Sequence, residues 1–434
     1  MRSTDQTTPD KKVLLLGHDV RLVLPIVRSL GRRGIITDLA WCPAKSPATH
    51  SRYIRHLHEI ALPELQDDSW IDALRDLIQT HRYDLVIPAA ESFVFFLQQH
   101  RTAFEEFGSV HLMNDEVFQT AFDKMKSWDL AHSLNIPVPD SKVCSNVEEL
   151  DSFLQSATYP LILKPDCSVN PDTPSSKNYV MTARSAQDAR KIFRNISSNG
   201  SSIHLQTLVS GLGVGVEFLA NQGELLAVHQ HKRLHETSGH GSTYRKSVAV
   251  SSELYQATEK IIKQLNYTGV GMAEFRVDDD TGQWWFLELN ARFWGSLPLA
   301  VASGADFPLY LYELLVEGRT TFNANYRPAV RCRNLRNDLR WTGHWLRQHF
   351  NSQAVVSAQQ SGWNVNSISF TRCAWDWLRL LTFQDQQDVF AWDDLSPSLW
   401  EARQIFGSLK RIIIPGKKSI SSSISQKKIS MVNE

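Results

Sequence analysis

The stretch Trp284–Gly295, WWFLELNARFWG, interleaves two chemistries. On an extended chain successive side chains point to opposite faces, so Glu288, Asn290 and Arg292 share one face. Trp285, Leu287 and Leu289 make up the other phase and are expected to face a core. A half-solvated antiparallel strand gives the same alternation, so this strand alone does not decide the matter. The segment before it does. Thr268–Val277, TGVGMAEFRV, is also strand-like, and Asp280-Thr281-Gly282 suits a three-residue hairpin loop with Gly282 in the left-handed position. A hairpin centred on Thr281 sets Glu274 opposite Glu288. Like charges so placed are destabilising unless something compensates them. Two carboxylates and an amide converging on one face are the oxygen donors of a hard divalent cation that completes its shell with water and phosphate.

The 434-residue length predicts two or three domains. Lys+Arg and Asp+Glu both number 46, and this zero balance gives no electrostatic case for nucleic acid or an anionic membrane as the main partner. No apolar run reaches transmembrane length. The N-terminus, MRSTDQTTPDKK, lacks the apolar core of a secretory signal. Cys42, Cys144, Cys167, Cys332 and Cys373 are scattered without metal-type spacing, so they read as packing thiols in a reduced, cytoplasmic protein.

Along the chain, Lys12–Ile35 reads as strand, glycine turn and helix, and DLVIPAAESFVFFLQQH repeats that pattern. Alternating strands and helices predict a parallel sheet. The GHDVRL turn has one glycine and does not make a dinucleotide fingerprint. Ligands gather at strand C-termini in such sheets, which makes His18, Asp19 and Glu91 either substrate contacts or helix caps. A helix over Asp123–Ile136 and a buried strand Tyr159–Asp166 ending on Lys164 follow. GLGVGVE (Gly211–Glu217) reads as a tight turn between strands. His229–Ser247 concentrates four histidines with Lys232, Arg233, Arg245 and Lys246, readable as a solvated basic loop or, less simply, a zinc site. Beyond about residue 322 lie seven of the thirteen tryptophans. There RCAWDWLRLLTF has apolar residues at helical spacing, suited to packing on the core, a homodimer contact or peripheral membrane contact.

Taken in order, Lys124, the strand-end Lys164-Pro165, the hinge-like LQTLVSG, Glu217, Glu274 and Glu288-x-Asn290-x-Arg292 resemble the ATP-grasp superfamily, most closely its biotin-carboxylase-like and carbamoyl-phosphate-synthetase-like members. The resemblance spans about residues 12–320. Its most specific part, FLELNARFWGSLPLA, is similar to the family's E-x-N-P-R motif with Ala291 in place of proline.

The resemblance implies an α/β and α+β architecture: a Rossmann-like pre-ATP-grasp domain over 12–115 and the ATP-grasp domain over 116–320. Beyond it, the change in composition reads as a helical or mixed extension over 321–415, and the Ser/Lys-rich 416–434 as a disordered tail. The resemblance also bears on the chemistry. It implies ATP and Mg²⁺ (or Mn²⁺) as cofactors. Lys124 and Lys164 would hold phosphates. Gln206, Thr207, Leu208 and Val209 would line the adenine, and Glu217 would take the ribose. Glu274, Glu288 and Asn290 would bind metal. Arg292 would steady the transferring phosphoryl group, and Arg233 and Arg245 would grip the acceptor carboxylate or acyl phosphate. The implied activity is a ligase joining a small-molecule carboxylate to an amine with ADP formation. The alternatives are carboxylation or carbamoyl transfer, and an ATP-binding regulatory protein without turnover. One departure stands out: PDCSVNPDTPSSKNY after Lys164 has no glycine, where many members carry a glycine-rich flap, so Ser168, Ser175, Ser176 and Lys177 are the candidate substitutes.

Overall fold

The computed structural model describes residues 11–63, 67–165, 180–197, 202–237, 241–350 and 369–413. The loop after Lys164, His240, Cys167 and the C-terminal tail lie outside these residues.

Three sheets organise the chain. The first holds β1 (Lys12–Leu16), β2 (Ile36–Ala40), β3 (Ile54–His58) and β4 (Leu85–Pro88) in the order β3-β2-β1-β4, all parallel. This is the parallel sheet that the alternating pattern predicts. β1 is almost wholly apolar and buried because helices cover the sheet. Asp19 caps the helix Val20–Arg32 by accepting the Arg21 amide proton.

The second sheet holds β5 (Ser141–Cys144), β6 (Leu161–Pro165), β7 (Met181–Ala183) and β8 (Ile203–Thr207), antiparallel in the order β5-β8-β6-β7. One face buries Cys144, Leu161, Leu163, Ala183, Ile203 and Leu205 against helices Val147–Leu154 and Ala186–Ile196. The alternate residues, Lys164, His204 and Gln206, point the other way.

The third sheet holds β9 (Leu212–Asn221), β10 (Glu224–Thr237), β11 (Gly241–Val248), β12 (Gly269–Val277), β13 (Trp284–Asn290), β14 (Arg331–Arg333) and β15 (Gln386–Gln387). Their order is β13-β12-β9-β10-β11-β14-β15. A division at residue 320 therefore cuts through a sheet. β14 and β15, from the expected C-terminal extension, complete it by backbone pairing.

Val214, Val216, Phe218, Ala273, Phe275, Phe286 and Leu289 pack on one face of this sheet with the helix Ser252–Gln264. At one end of the opposite face, Leu219, Val270 and Met272 join a core shared with the first sheet and the helices Leu297–Ser303 and Phe307–Glu317. No single helix among the described residues is long and apolar enough to cross a membrane. The one bent pair that passes by composition is these two buried helices, at 87°.

The β12–β13 hairpin corrects one part of the sequence reading and bears out another. Glu274 faces Glu288, and Gly282 has φ +71°. Near the turn, however, Val277 pairs with Trp284, so the loop is longer than three residues. The register is restored by a bulge between the Phe275–Phe286 and Glu274–Glu288 pairs, which leaves Leu287 unopposed. The bulge inverts the phase before it. Phe286, Leu289 and Ala291 enter the core, while Trp285 and Leu287 stay half-buried.

Candidate functional site

Strand register places the polar residues of the third sheet in rows on one face. Asn290, Met272, Glu217 and His229 form one row, and Glu288, Glu274, Gly215, His231 and Ser247 the next. Arg276, Gly213, Arg233 and Arg245 form a third. The expected turn GLGVGVE is thus mostly strand. Only Gly211 bends the chain, at φ +100°. Gly213 and Gly215 serve side-chain clearance. A Cβ on Gly213 would lie 2.6 Å from Arg233 Cδ, and one on Gly215 would lie 2.5 Å from His231 Cε1. Long side chains of β10 lie across β9 because these positions are bare.

Glu274 and Glu288, the expected metal ligands, are cross-strand neighbours held by cations from three directions. Arg233 Nη2 lies 2.8 Å from Glu274 Oε2. Burial would raise the Glu288 pKa, but the charges of Lys124 and Lys164, with Asn290 and Arg292, hold it below the ordinary carboxylate range. Asn290 Nδ2 donates to Glu288 Oε1 at 3.2 Å. Among the described residues no group of three or more His, Cys, Asp or Glu is disposed to hold a metal. A site of two carboxylates and one amide still fits magnesium, which draws its remaining ligands from water and phosphate.

The two expected phosphate lysines come from different elements and meet. Asp123 caps the helix Lys124–Ser133, accepting from Met125 and Lys126, which sets Lys124 on its first turn. Lys124 Nζ donates to the Pro165 carbonyl at 3.3 Å. Lys164 is buried and donates to Gln206 Oε1 at 3.3 Å. Burial and the Lys124 ammonium push Lys164 down to about 8, with Glu288 and Glu274 pulling the other way. His204, opposite Lys164 in the register, has both ring nitrogens buried without a partner among the described residues. Burial and the two lysines bring it down to about 3, so it is neutral beside them. The sequence reading passed over His204. Its only signal was a polar residue inside an apolar strand.

In the expected adenine segment, Gln206 is buried and Leu208 exposed. The amides of Thr207 and Leu208 already donate to Asp140 and Pro160 carbonyls at 2.9 and 3.2 Å. Of the two, therefore, neither N–H is open to a base edge. Glu217 departs from its expected ribose role. It is wholly buried, and Ser296 Oγ donates to Oε1 at 3.0 Å while His229 Nδ1 meets Oε2 at 2.8 Å and His231 Nδ1 meets Oε1. Burial raises its pKa, but the charges and hydrogen bonds of His231 and His229 bring it down to about 2. Its carboxylate orients two imidazoles.

The basic segment is likewise no solvated loop. His229, His231, His235 and Arg245 are buried in central strands. His235 leaves the site face because a bulge between Arg233 and His235 shifts the register. It stacks on Trp341 at 3.8 Å and meets Asp338 at 2.8 Å. Among the described residues the histidines therefore do not converge as zinc ligands.

Arg292 reaches the first sheet, where its Nη2 meets Glu91 Oε2 at 2.5 Å. Asp19 pairs with Arg21 at 2.7 Å, and Gly295 lies against the Arg21 guanidinium. Thus Asp19 and Glu91 take the place at strand C-termini that parallel sheets use for ligands, and Arg21 and Asp388 join them unread from the sequence. Arg245 pairs with Asp388 through Nη2, while its buried Nε and Nη1 have no partner among the described residues.

A parallel sheet, a small antiparallel sheet carrying the lysine, and a large sheet carrying facing carboxylates make up one arrangement. The chain has the ATP-grasp fold. A family model described as ATP-grasp in the biosynthetic pathway with Ter operon matches residues 202–337. The ATP-grasp architecture is shared with an L-amino acid ligase from Bacillus licheniformis, at TM-score 0.58 and 16% identity over 75% of this chain and 79% of that one. It is shared equally with the biotin carboxylase of Campylobacter jejuni, crystallised as a β-γ-ATP complex, at TM-score 0.58 and 16% identity over 74% of each chain. A curated protein of Emericella nidulans named "Putative urea carboxylase" is 21% identical over 307 residues, 65% of this chain. The matched part spans only 24% of that protein's length.

Proposed function

We propose that this protein is an ATP- and magnesium-dependent ligase that activates a carboxylate as an acyl phosphate and passes the acyl group to an amine. The observation that carries this reading is the Glu274–Glu288 pair bordered by Lys124 and Lys164, with arginines beyond it. Phosphoryl transfer asks little covalent chemistry of a protein and much positioning and charge neutralisation. Magnesium, when held by Glu274, Glu288 and Asn290, would neutralise charge on the phosphates.

Lys124 and Lys164 bind and orient the phosphate chain. The acceptor carboxylate oxygen attacks the γ-phosphorus, and the bond to the β–γ bridging oxygen breaks to release ADP. Arg292, which meets Glu91, and Arg245, whose buried Nε and Nη1 have no partner among the described residues, are guanidinium donors suited to the carboxylate or acyl phosphate. The amine then attacks the acyl carbon, and phosphate leaves with the C–O electron pair. The ammonium so formed gives its proton to solvent.

The resemblance to biotin carboxylases and the Emericella nidulans protein favours a second reading, in which the carboxylate is bicarbonate and the product a carboxylated nitrogen. Incubation with Mg-ATP, hydroxylamine and pooled carboxylic acids separates the readings. A hydroxamate that forms with wild type and is absent with Glu288→Gln supports the ligase. ADP formation dependent on bicarbonate alone supports the carboxylase. ATP binding without ADP in either arm refutes both and leaves a regulatory nucleotide-binding protein.

A further inference from the structure

The net charge of zero conceals an asymmetry. Residues 321–434 carry 15 Lys and Arg against 8 Asp and Glu. Of those acids, Asp338, Asp376, Asp385, Asp388 and Asp394 are buried and turned inward. They bind Arg333, Arg331, Arg379, Arg245 and Arg28 in the same order.

The helices Leu335–Phe350 and Phe370–Leu381 show the consequence. Their only carboxylates, Asp338 and Asp376, face the sheet. The two helices touch, with Trp377 Nε1 donating to Thr342 Oγ1 at 3.1 Å and Trp345 stacked near Phe370 at 6.1 Å. Their outward faces carry Leu339, Arg340, Leu346 and Arg347 on one, and Phe370, Trp375 and Leu378 on the other. Phe370, Trp375 and Leu378 are 53%, 55% and 46% exposed. Phe383 follows at φ +57°, where glycine is the usual residue, with its ring 74% exposed.

We infer that this face docks on an anionic lipid bilayer. Aromatic and leucine side chains beside arginines, with no carboxylate between them, match the composition of a membrane-surface helix. The aliphatic members argue against nucleic acid, which stacks on aromatics but gains little from leucine. A second copy would bring the same cationic face against itself, which repulsion disfavours. The inference is independent of the reaction catalysed.

The test is co-sedimentation of the full chain with phosphatidylcholine vesicles, with and without 30% phosphatidylserine (about that fraction suffices to give a surface potential). Binding to the anionic vesicles is expected, with loss at high salt. The triple variant Phe370→Ser/Trp375→Ser/Leu378→Ser should weaken it by at least about tenfold, and Arg340→Glu/Arg347→Glu by a similar factor. Unchanged ATP binding and thermal midpoint show that the variants remain folded. Failure to bind, equal binding to neutral vesicles, or binding unaltered in both variants overturns the inference. So does a dimer that the triple variant abolishes, or an RNA oligonucleotide that displaces the vesicles.

Discussion

The two ends of the seven-stranded sheet are about equally rich in charge and differ in how that charge is balanced. At the β14–β15 end, Arg333 lies between Asp338 and Asp385, Arg331 meets Asp376, and Arg379 meets Asp385. These buried groups pair with one another, and the result is an ionic network between sheet and helices. At the β12–β13 end, carboxylates face each other across strands, and two lysines crowd together with a neutral histidine. There the carboxylates are balanced by long side chains from other segments, Arg233 on Glu274 and the two lysines beside Glu288, which a cation and an anion binding together can replace. Charge density therefore does not mark a site. What marks it is like charges gathered side by side, whose compensation a ligand can take over.

Substitutions at the two ends should act on different properties of the protein. The largest effect is expected at Glu288. Glu288→Gln should lower turnover by about 10³-fold or more, roughly 4 kcal/mol in the barrier, with an unaltered thermal midpoint. Steady-state ADP release and calorimetry check both halves, and full activity removes the metal assignment.

Asp338→Ala should do the opposite. It leaves the buried Arg333 guanidinium with Asp385 alone, removes the carboxylate partner of His235, and should cost about 3–5 kcal/mol of stability. ATP affinity should stay unchanged in the protein that remains folded. Urea unfolding followed by nucleotide titration tests this, and a loss of affinity without a loss of stability would erase the distinction between the two ends.

Glu217→Gln should fall between them. A carboxylate held at about 2 instead of its ordinary 4.5 contributes about 3 kcal/mol near neutrality. That contribution is present above about 4.5 and is lost as pH falls toward 2. The variant should therefore be less stable at pH 7, and its stability should fall less steeply than that of wild type between pH 5 and 3. Parallel pH curves would show that Glu217 is not the group responsible.

Lys164→Ala should weaken ATP binding by about tenfold or more, a charge-assisted hydrogen bond's worth. A smaller effect follows from its lowered pKa. An ammonium of pKa about 8 is partly deprotonated above that pH, and bound phosphate favours the charged form. ATP affinity should fall as pH rises through 8, and binding between pH 8 and 10 should take up protons. Calorimetry in buffers of different ionisation enthalpy reads this directly. Proton release there would contradict the assignment.

The sequence by itself was enough for the alternating β/α pattern of residues 12–99, the hairpin, the Glu274–Glu288 pairing and the ATP-grasp resemblance. Each rests on local periodicity or short-range spacing, which the side-chain alternation of strands makes readable. Other features were decided by tertiary structure alone. Bulges at Leu287 and Leu234 reverse the face of everything beyond them, and a bulge has no fixed composition. Gly213 and Gly215 look like a turn until Arg233 and His231 arrive from the next strand. Glu217 looks like a ligand until two histidines and a serine from distant segments close over it. The expected boundary at 320 cuts a sheet because β14 pairs with β11, some 85 to 89 positions earlier, and β15 in turn pairs with β14. The site's chemistry is written in residue types. Which charges remain free to meet a ligand depends on contacts between residues far apart in the chain, and only the folded structure determines those.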